Sequence, residues 1–408
     1  MSALGPQLRQ YLIVTGNYWA FTLTDGALRM LVVLHFHSLG YSPLEIALLF
    51  LFYEFFGVVT NLVGGWLGAR IGLNRTMNIG LGLQIAALAM LLMPTAWLTV
   101  AWVMAAQALS GIAKDLNKMS AKSAIKFLLP ADADSRLFYW VAILTGSKNA
   151  LKGMGFFLGG LLLATLGFAG AVGAMAIGLT LVWLFSLMAL GQDLGRASGK
   201  PKFTEIISKS RAINALSAAR LFLFGARDVW FVVALPVFMS SQLGWSHTAV
   251  GSFLASWVVG YGLVQSMAPR LITLGGRRSA QRMDAAAWAL ALAALPALIA
   301  LALSEPAWQQ NALVGGLLLF GAVFAVNSSL HSYLIVRHAR ADGVSMDVGF
   351  YYMANAMGRL LGTVLSGWLY QAYGLTACLW ASCVFLLLAA ILPLAMPRAR
   401  KRINSLPH

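Results

Sequence analysis

The chain has 408 residues, of which 60% are hydrophobic and 10% are charged, and its formal net charge is +16. Its mean hydropathy is +0.77. Soluble domains carry roughly 25% charged residues, so a soluble globular protein of this size is excluded. Because the basic residues fall in loops and in a few apolar runs, the positive charge does not indicate a nucleic-acid partner. The composition predicts an all-α membrane protein surrounded by the lipid bilayer.

Apolar runs of about 20 residues, the length that crosses a hydrocarbon core, recur along the sequence and predict twelve spans. One long polar segment interrupts them, at 191–211. We therefore predict an N-terminal six-helix bundle over 1–190, a cytoplasmic linker over 191–211, a C-terminal six-helix bundle over 212–397 and a basic cytoplasmic tail over 398–408. The predicted spans are 11–36, 44–69, 77–94, 97–125, 137–166, 168–190, 212–240, 247–273, 284–303, 311–336, 345–371 and 375–396.

The basic residues between the spans predict the orientation. If both termini and every second loop are cytoplasmic, 21 of the 29 Lys and Arg residues fall on that side and none falls in the six opposite loops. Cytoplasmic loops carry the excess of Lys and Arg in membrane proteins. We therefore expect cytoplasmic N- and C-termini. The first span should be retained, since no signal-peptide core or cleavage site precedes it.

A pair of small residues seven positions apart recurs at the end of every third predicted span. Successive copies lie 95, 108 and 99 residues apart and alternate between loops with and without arginine. Inverted repeats of three spans are typical of secondary transporters, whereas chance recurrence of helix-end glycines would not give this order and alternation. The copies are Gly65 with Gly72, Gly160 with Gly167, Ala268 with Gly275, and Gly367 with Gly374.

The first copy, GWLGARIG, resembles the loop motif G-x-L-x-D-R-x-G of the major facilitator superfamily. Ala69 stands where the motif has its acid, so the gating contact of that acid is not expected here. The resemblance implies the fold of that superfamily, with two six-helix halves built from inverted three-helix repeats. It also implies a gating loop that contains Gly65, Arg70, Gly72 and Arg75.

Longer strings of the chain resemble the ArsJ family, the bacterial organoarsenical efflux permeases. They occupy 11–37, 56–80, 108–126, 140–153 and 208–237. The resemblance implies export of 1-arseno-3-phosphoglycerate through the bacterial inner membrane, and hence arsenate resistance. It also implies a functional link to a glyceraldehyde-3-phosphate dehydrogenase, which makes this molecule when arsenate replaces phosphate.

Charged residues inside the predicted spans indicate the chemistry of a site. Away from the span ends, eight of them are basic and four are acidic, which leaves a surplus of four positive charges. Because an unpaired buried charge costs several kcal/mol, an anionic, phosphorylated substrate is expected to complete the balance. Depth along the spans selects the predicted substrate-binding residues Arg29, Lys114, Lys148, Lys152, Arg227 and Arg359.

Uncharged polar residues add four more candidates. Asn117, Asn149 and Asn355 are candidates to bind glycerate oxygens, or they join helices by hydrogen bonds. His331 lies near mid-depth and is either a substrate or proton site or a hydrogen-bonded core residue.

Lys118, Lys122 and Arg220 lie closer to the cytoplasm and are predicted to form the cytoplasmic entrance. Lys118 and Lys122 continue the four-residue spacing of Lys114, so the three form a stripe on one helix.

The four acids are predicted to pair with charges or to carry protons. Asp25 and Arg29 are four residues apart, so they either form a structural pair or separate when substrate binds Arg29. Asp115 is expected to pair with Lys118 or a neighbour in the cavity, and Glu54 either carries a proton or contacts a cation. Arg227 and Asp228 are adjacent and should point in different directions, so no pair between them is expected.

The sequence shows neither a catalytic constellation nor the GxxxxGKS phosphate-binding loop of ATP-driven proteins. Cys378 and Cys383 are too few for a metal or trivalent-arsenic site. We therefore expect no enzyme activity and no cofactor, and a monomeric, proton-coupled exporter that works by alternating access. The alternatives are an organophosphate/phosphate exchanger and a non-transporting membrane receptor.

Overall fold

A computed structural model describes residues 6–40, 49, 51–128, 134–191, 194–197, 202, 210–272 and 280–396. Most of the predicted linker and all of the predicted basic tail lie outside these ranges. The helices, numbered in chain order, are α1 (Pro6–Ser38), α2 (Leu51–Ile71), α3 (Leu73–Leu91), α4 (Val100–Leu128), α5 (Asp134–Ala189), α6 (Arg211–Phe231), α7 (Ala234–Ser241), α8 (His247–Ile272), α9 (Arg282–Ala302), α10 (Gln309–His338) and α11 (Val344–Ile391).

The second glycine of the sequence repeat makes a turn between two spans. Gly72 separates α2 from α3 with φ 98°. Gly167 and Gly374 bend α5 and α11 with φ 67° and 77°, so each of these long helices contains two spans. Positive φ favours glycine because it has no Cβ. Gly275, in the fourth copy, lies outside the described residues.

The predicted span 212–240 is broken into α6 and α7. Pro236 lies in the first turn of α7, where its ring would clash with the carbonyl of residue 232 in a continuous helix. The backbone N–H of Ala234 instead donates to the Ser366 hydroxyl at 3.1 Å. This contact satisfies a donor that the break would otherwise leave unpaired.

Six helical stretches in the described chain are long and apolar enough to cross a membrane by length and composition. Two of them, Arg136–Ala189 and Val344–Ala395, hold two spans each. With α1 to α4, the described helices make up the twelve predicted spans. The chain is a multi-pass membrane protein.

A layer of buried apolar residues joins α1–α5 to α6–α11 on the side of the membrane where α1 begins. It includes Phe138 of α5 and Tyr333 of α10, whose rings stack with their centres 4.7 Å apart. Nearby, Lys126 at the end of α4 donates to the backbone carbonyls of Arg337, at 3.1 Å, and Ala339. These contacts close one side of the molecule, the side predicted to be cytoplasmic.

Two close helix crossings complete this closed side. Gly65 of α2 lies against Ser345 and Gly349 at the start of α11, so closely that an added Cβ would be 2.5 Å from the Ser345 carbonyl oxygen. Gly146 of α5 lies equally close to Gly262 of α8. These crossings hold the two halves together on this side of the molecule.

Candidate functional site

A cavity of about 320 Å³ lies between the two halves of the molecule. Residues of α1, α2, α4 and α5 line it on one side, and residues of α6, α8, α10 and α11 line it on the other. Within the described part of the chain, nine basic and two acidic side chains line it. The basic residues are Arg29, Lys114, Lys118, Lys122, Lys148, Lys152, Arg220, Arg227 and Arg359, and the acidic ones are Asp25 and Asp115.

Tyr53 of α2 contacts charged residues that α1 and α4 bring to the cavity. Its hydroxyl donates to Asp25 at 2.7 Å. The guanidinium carbon of Arg29 lies 4.0 Å from the centre of its ring, and the ammonium of Lys114 lies 3.7 Å from it. Both distances are within the range of cation–π attraction. The tyrosine therefore holds two predicted substrate-binding cations beside a buried carboxylate.

Asp115 is the second carboxylate at the cavity. It is almost fully buried and forms an ion pair with Lys118 at 2.5 Å, the partner that the three-residue spacing predicts. The ammonium of Lys114 lies 3.9 Å from the other carboxylate oxygen. One negative charge is thus shared by two lysines of the same helix.

Lys148 and Lys152 of α5 face the cavity without a hydrogen-bond or ion-pair partner among the described residues. The charges of Lys114, Lys118 and Arg359 act repulsively on Lys148. Since like charges are costly to hold together in a partly buried site, these two lysines add two uncompensated positive charges to the cavity.

Arg227 and Asp228 form an ion pair, so the prediction that they would not pair is wrong. Asp228 accepts from Nε of Arg227 at 2.5 Å and from Nε of Arg359 at 3.2 Å. The Cα–Cβ bonds of adjacent helical residues do diverge, but the long arginine side chain folds back far enough to bring Nε to the carboxylate. Asp228 is fully buried behind the two arginines.

A network of hydrogen bonds between polar side chains lines one end of the cavity, which we call its floor. Asn149 of α5 donates to Gln265 of α8 at 2.6 Å, which joins the two halves. Gln265 donates to the Ser328 hydroxyl at 3.2 Å, and Arg220 contacts the same hydroxyl at 3.1 Å. Arg220 also donates to Asn355 at 2.8 Å. Asn149 and Asn355 therefore lie in the cavity, where they also hold the floor together.

The predicted cytoplasmic entrance residues Lys118, Lys122 and Arg220 are all buried in the cavity. Lys122 donates to the Tyr352 hydroxyl from the other half, and its ammonium lies 4.8 Å from the centre of that ring. Lys118 lies 4.7 Å from the same ring. In this conformation Tyr352 of the other half contacts the buried Lys122 ammonium, so Lys122 does not form an open entrance.

Two predicted substrate-binding residues are not brought to the cavity lining. Asn117 is fully buried against Gly80 of α3 and donates to the Ala113 carbonyl at 3.0 Å. His331 is fully buried in α10. The side chain of Glu54 lies outside the described part of the chain.

Sequence reasoning missed several polar contacts at the cavity. Tyr53 and Tyr352 contact its charged groups, but an aromatic residue in an apolar span carries no signal that separates packing from ligand contact. Gln265 could have been found, because an amide within an apolar span needs a hydrogen-bond partner.

Residues 216–407 match the sequence model of the family described as the Major Facilitator Superfamily. The human organic anion transporter MFSD10 (TETRAN) superposes with a TM-score of 0.74 at 18% identity, covering 95% of this chain and 100% of that chain. The E. coli fucose:proton symporter FucP gives 0.71 at 13% identity, with 94% and 98% covered. A bacterial homologue of the iron transporter ferroportin in an outward-facing state gives 0.72 at 14% identity, with 96% and 99% covered.

The chain has the major facilitator superfamily fold. This result confirms the predicted fold class. No curated protein matches the sequence. The family and the three solved structures are those of transporters, which agrees with the prediction that the chain is not an enzyme.

In this major facilitator fold, the predicted gating loop lies on the closed side. Gly65 is at the crossing of α2 and α11, and Gly72 makes the turn into α3. Arg70 is exposed, with its guanidinium carbon 5.1 Å from the ring centre of Trp66, and Arg75 is exposed in α3. Ala69, where the motif has an acid, is buried and accepts a backbone hydrogen bond from Ala197 at 2.8 Å.

Proposed function

We propose that the protein is a secondary active transporter that exports the anionic organoarsenical 1-arseno-3-phosphoglycerate from the bacterial cytoplasm by alternating access, and so confers arsenate resistance. The observation that carries this proposal is the cavity lining, with nine basic and two acidic side chains among the described residues. The major facilitator fold supports the transport mechanism. The resemblance of five long strings to ArsJ permeases supports the substrate.

The charge of this substrate suits the charge of the cavity. A phosphate and an arsenate group at the two ends of a glycerate would supply the counter-charge that Lys148 and Lys152 lack among the described residues. Arginine binds such oxyanions as a planar fork and lysine binds them as a mobile point charge. The cavity, at about 320 Å³, falls in the range of about 300–1,000 Å³ that is usual for small-molecule sites.

Proton entry is the proposed driving force, with Asp25 as the carrier. Asp25 is buried at the cavity and shares Tyr53 with Arg29. An anion bound at Arg29 would reduce the positive field at Asp25 and favour protonation of its carboxyl group. Substrate binding and protonation would then be linked at one site.

We also propose that the protein lies in the inner membrane as a monomer with cytoplasmic termini. A glyceraldehyde-3-phosphate dehydrogenase would make its substrate. The cationic cavity also suits a second function, the exchange of an organophosphate for inorganic phosphate.

Transport into inside-out vesicles distinguishes these functions. The substrate is made outside the vesicles from arsenate by the dehydrogenase, and internal arsenic is measured by mass spectrometry. Uptake that a protonophore abolishes supports the export proposal, whereas uptake that requires only internal phosphate supports the exchanger. Absence of flux with a well-expressed protein would refute both and leave a receptor.

Two arginine variants test the site itself. Arg29→Ala and Arg227→Ala should each abolish arsenate resistance with normal membrane expression, because each removes a guanidinium from one side of the cavity. Arg9→Ala is the matched control, since Arg9 is exposed in the first turn of α1 and its loss lowers the net charge equally. Normal resistance in both cavity variants would contradict the site.

A further inference from the structure

One carboxylate holds two arginines at the cavity wall formed by α6 and α11. Asp228 binds Arg227 through one oxygen, at 2.5 Å, and Arg359 through the other, at 3.2 Å. Both arginines line the cavity, whereas Asp228 is fully buried behind them. The carboxylate therefore sets the position of one guanidinium group relative to the other.

Both ion pairs use Nε of the arginine. The other four N–H donors of a guanidinium lie on its two terminal nitrogens, which form a planar fork. For Arg227, no described residue accepts from these terminal nitrogens. The Arg227 guanidinium carbon also lies 4.9 Å from the ring centre of Phe224. Because Asp228 holds Nε and Phe224 lies beside the guanidinium, few orientations remain in which Arg227 can present its terminal nitrogens to the cavity that it lines.

The carboxylate on the opposite wall has a different arrangement. Asp115 forms an ion pair with the ammonium group of Lys118 at 2.5 Å, and that of Lys114 lies 3.9 Å away. An ammonium group has no fork to orient, so this pair compensates charge without setting a geometry for a ligand. Neutralising Asp228 and neutralising Asp115 should therefore have opposite effects on anion binding.

We propose that Asp228 is a positioning residue that holds Arg227 and Arg359 as a paired clamp for one tetrahedral oxyanion of the phosphate and arsenate class. This inference rests on the proposed function, because it assigns one end of the substrate to this wall. Each fork can donate two parallel hydrogen bonds to an oxyanion, and a phosphate or arsenate group offers more oxygens for two such forks than the two of a carboxylate.

The direction in which Asp228→Asn changes anion affinity distinguishes a positioning role from a purely electrostatic one. Asp228→Asn makes the cavity more positive, so charge alone would tighten anion binding. If Asp228 positions the arginines, the same change weakens binding, because a neutral amide cannot hold two guanidinium groups. Asp115→Asn changes the charge equally and should leave binding as tight or tighter.

The experiment is titration calorimetry of the purified full-length protein with inorganic phosphate and with 3-phosphoglycerate. We expect Asp228→Asn to weaken binding of both at least tenfold and Asp115→Asn not to weaken it. Asp347→Asn is the control for loss of a buried, arginine-paired acid outside the cavity and should leave affinity unchanged. Equal or tighter phosphate binding by Asp228→Asn would overturn the inference.

A second set of variants covers the case in which Asp228→Asn does not fold. Arg359→Lys keeps the charge but removes the fork, so it should weaken phosphate binding as much as loss of the carboxylate does. Wild-type affinity in Arg359→Lys would also overturn the clamp. If the wild type transports the organoarsenical but does not bind phosphate, the clamp is wrong and the proposed function stands. If it does neither, the proposed function fails as well.

Discussion

Substitution of Gly349 by alanine should open the closed side of the molecule. A Cβ at Gly349 would lie 2.4 Å from the Asn61 carbonyl oxygen and 2.9 Å from the Cα of Gly65. Ordinary contact begins at 3.4 Å, so the overlap with the carbonyl oxygen is 1.0 Å. The opposing atoms are backbone and cannot rotate away. The start of α11 must therefore move from α2.

The size of the effect follows from the cost of overpacking. Forcing a methyl group into a close-packed contact costs about 1–3 kcal/mol. This penalty applies only while the two helices touch, so it acts on the balance between the two conformations. A penalty of this size lowers the population of the closed-side conformation relative to the other by about 5- to 150-fold.

Thiol labelling measures this population. Val258 lines the cavity, so Val258→Cys in a background without Cys378 and Cys383 reports access. A membrane-impermeant maleimide added outside cells should label this cysteine more slowly in Gly349→Ala. Gly260→Ala is the control, because nothing lies within 4 Å of its added Cβ. Unchanged labelling in a folded Gly349→Ala protein would refute the role of this crossing.

Two further predictions concern charge. Lys148→Gln and Lys152→Gln should each raise the KM for export and also raise the melting temperature. Each removes a buried charge that has no partner among the described residues, and leaving such a group unpaired costs roughly 1–3 kcal/mol. A lower melting temperature would contradict this account. Asp347→Asn should destabilise the protein by about 1–2 kcal/mol, because fully buried Asp347 binds half-exposed Arg340 at 2.8 Å at the start of α11. An unchanged melting temperature would show that this pair contributes nothing.

The repeat and the surplus of cations within the spans could be predicted from the sequence, because both depend only on the spacing of residues along the chain. Three copies of the glycine repeat end in a residue with positive φ, so the spacing marked real turns between spans. Depth along a span also follows from residue number. All six predicted substrate-binding cations line the cavity for this reason.

Facing direction could not be predicted in the same way. Asn117 and Asn149 are both asparagines within predicted spans, yet Asn149 lies in the cavity and Asn117 packs on α3. The difference depends on how each helix is rotated against its neighbours, which only tertiary packing fixes. The divergence of adjacent Cα–Cβ bonds does not predict the Arg227–Asp228 pair, because the arginine side chain is long enough to overcome it.

The lysine stripe of α4 would have a different role in each of the two conformations that the proposed export requires. Lys114 lies beside Tyr53, Lys118 pairs with Asp115, and Lys122 is covered by Tyr352 of the opposite half. If the halves rock apart on the closed side, Tyr352 would move with α11 away from α4. Lys122 and then Lys118 would become the first cations that an anion from the cytoplasm meets. The same lysines would thus help to close the cavity in one conformation and form its entrance in the other.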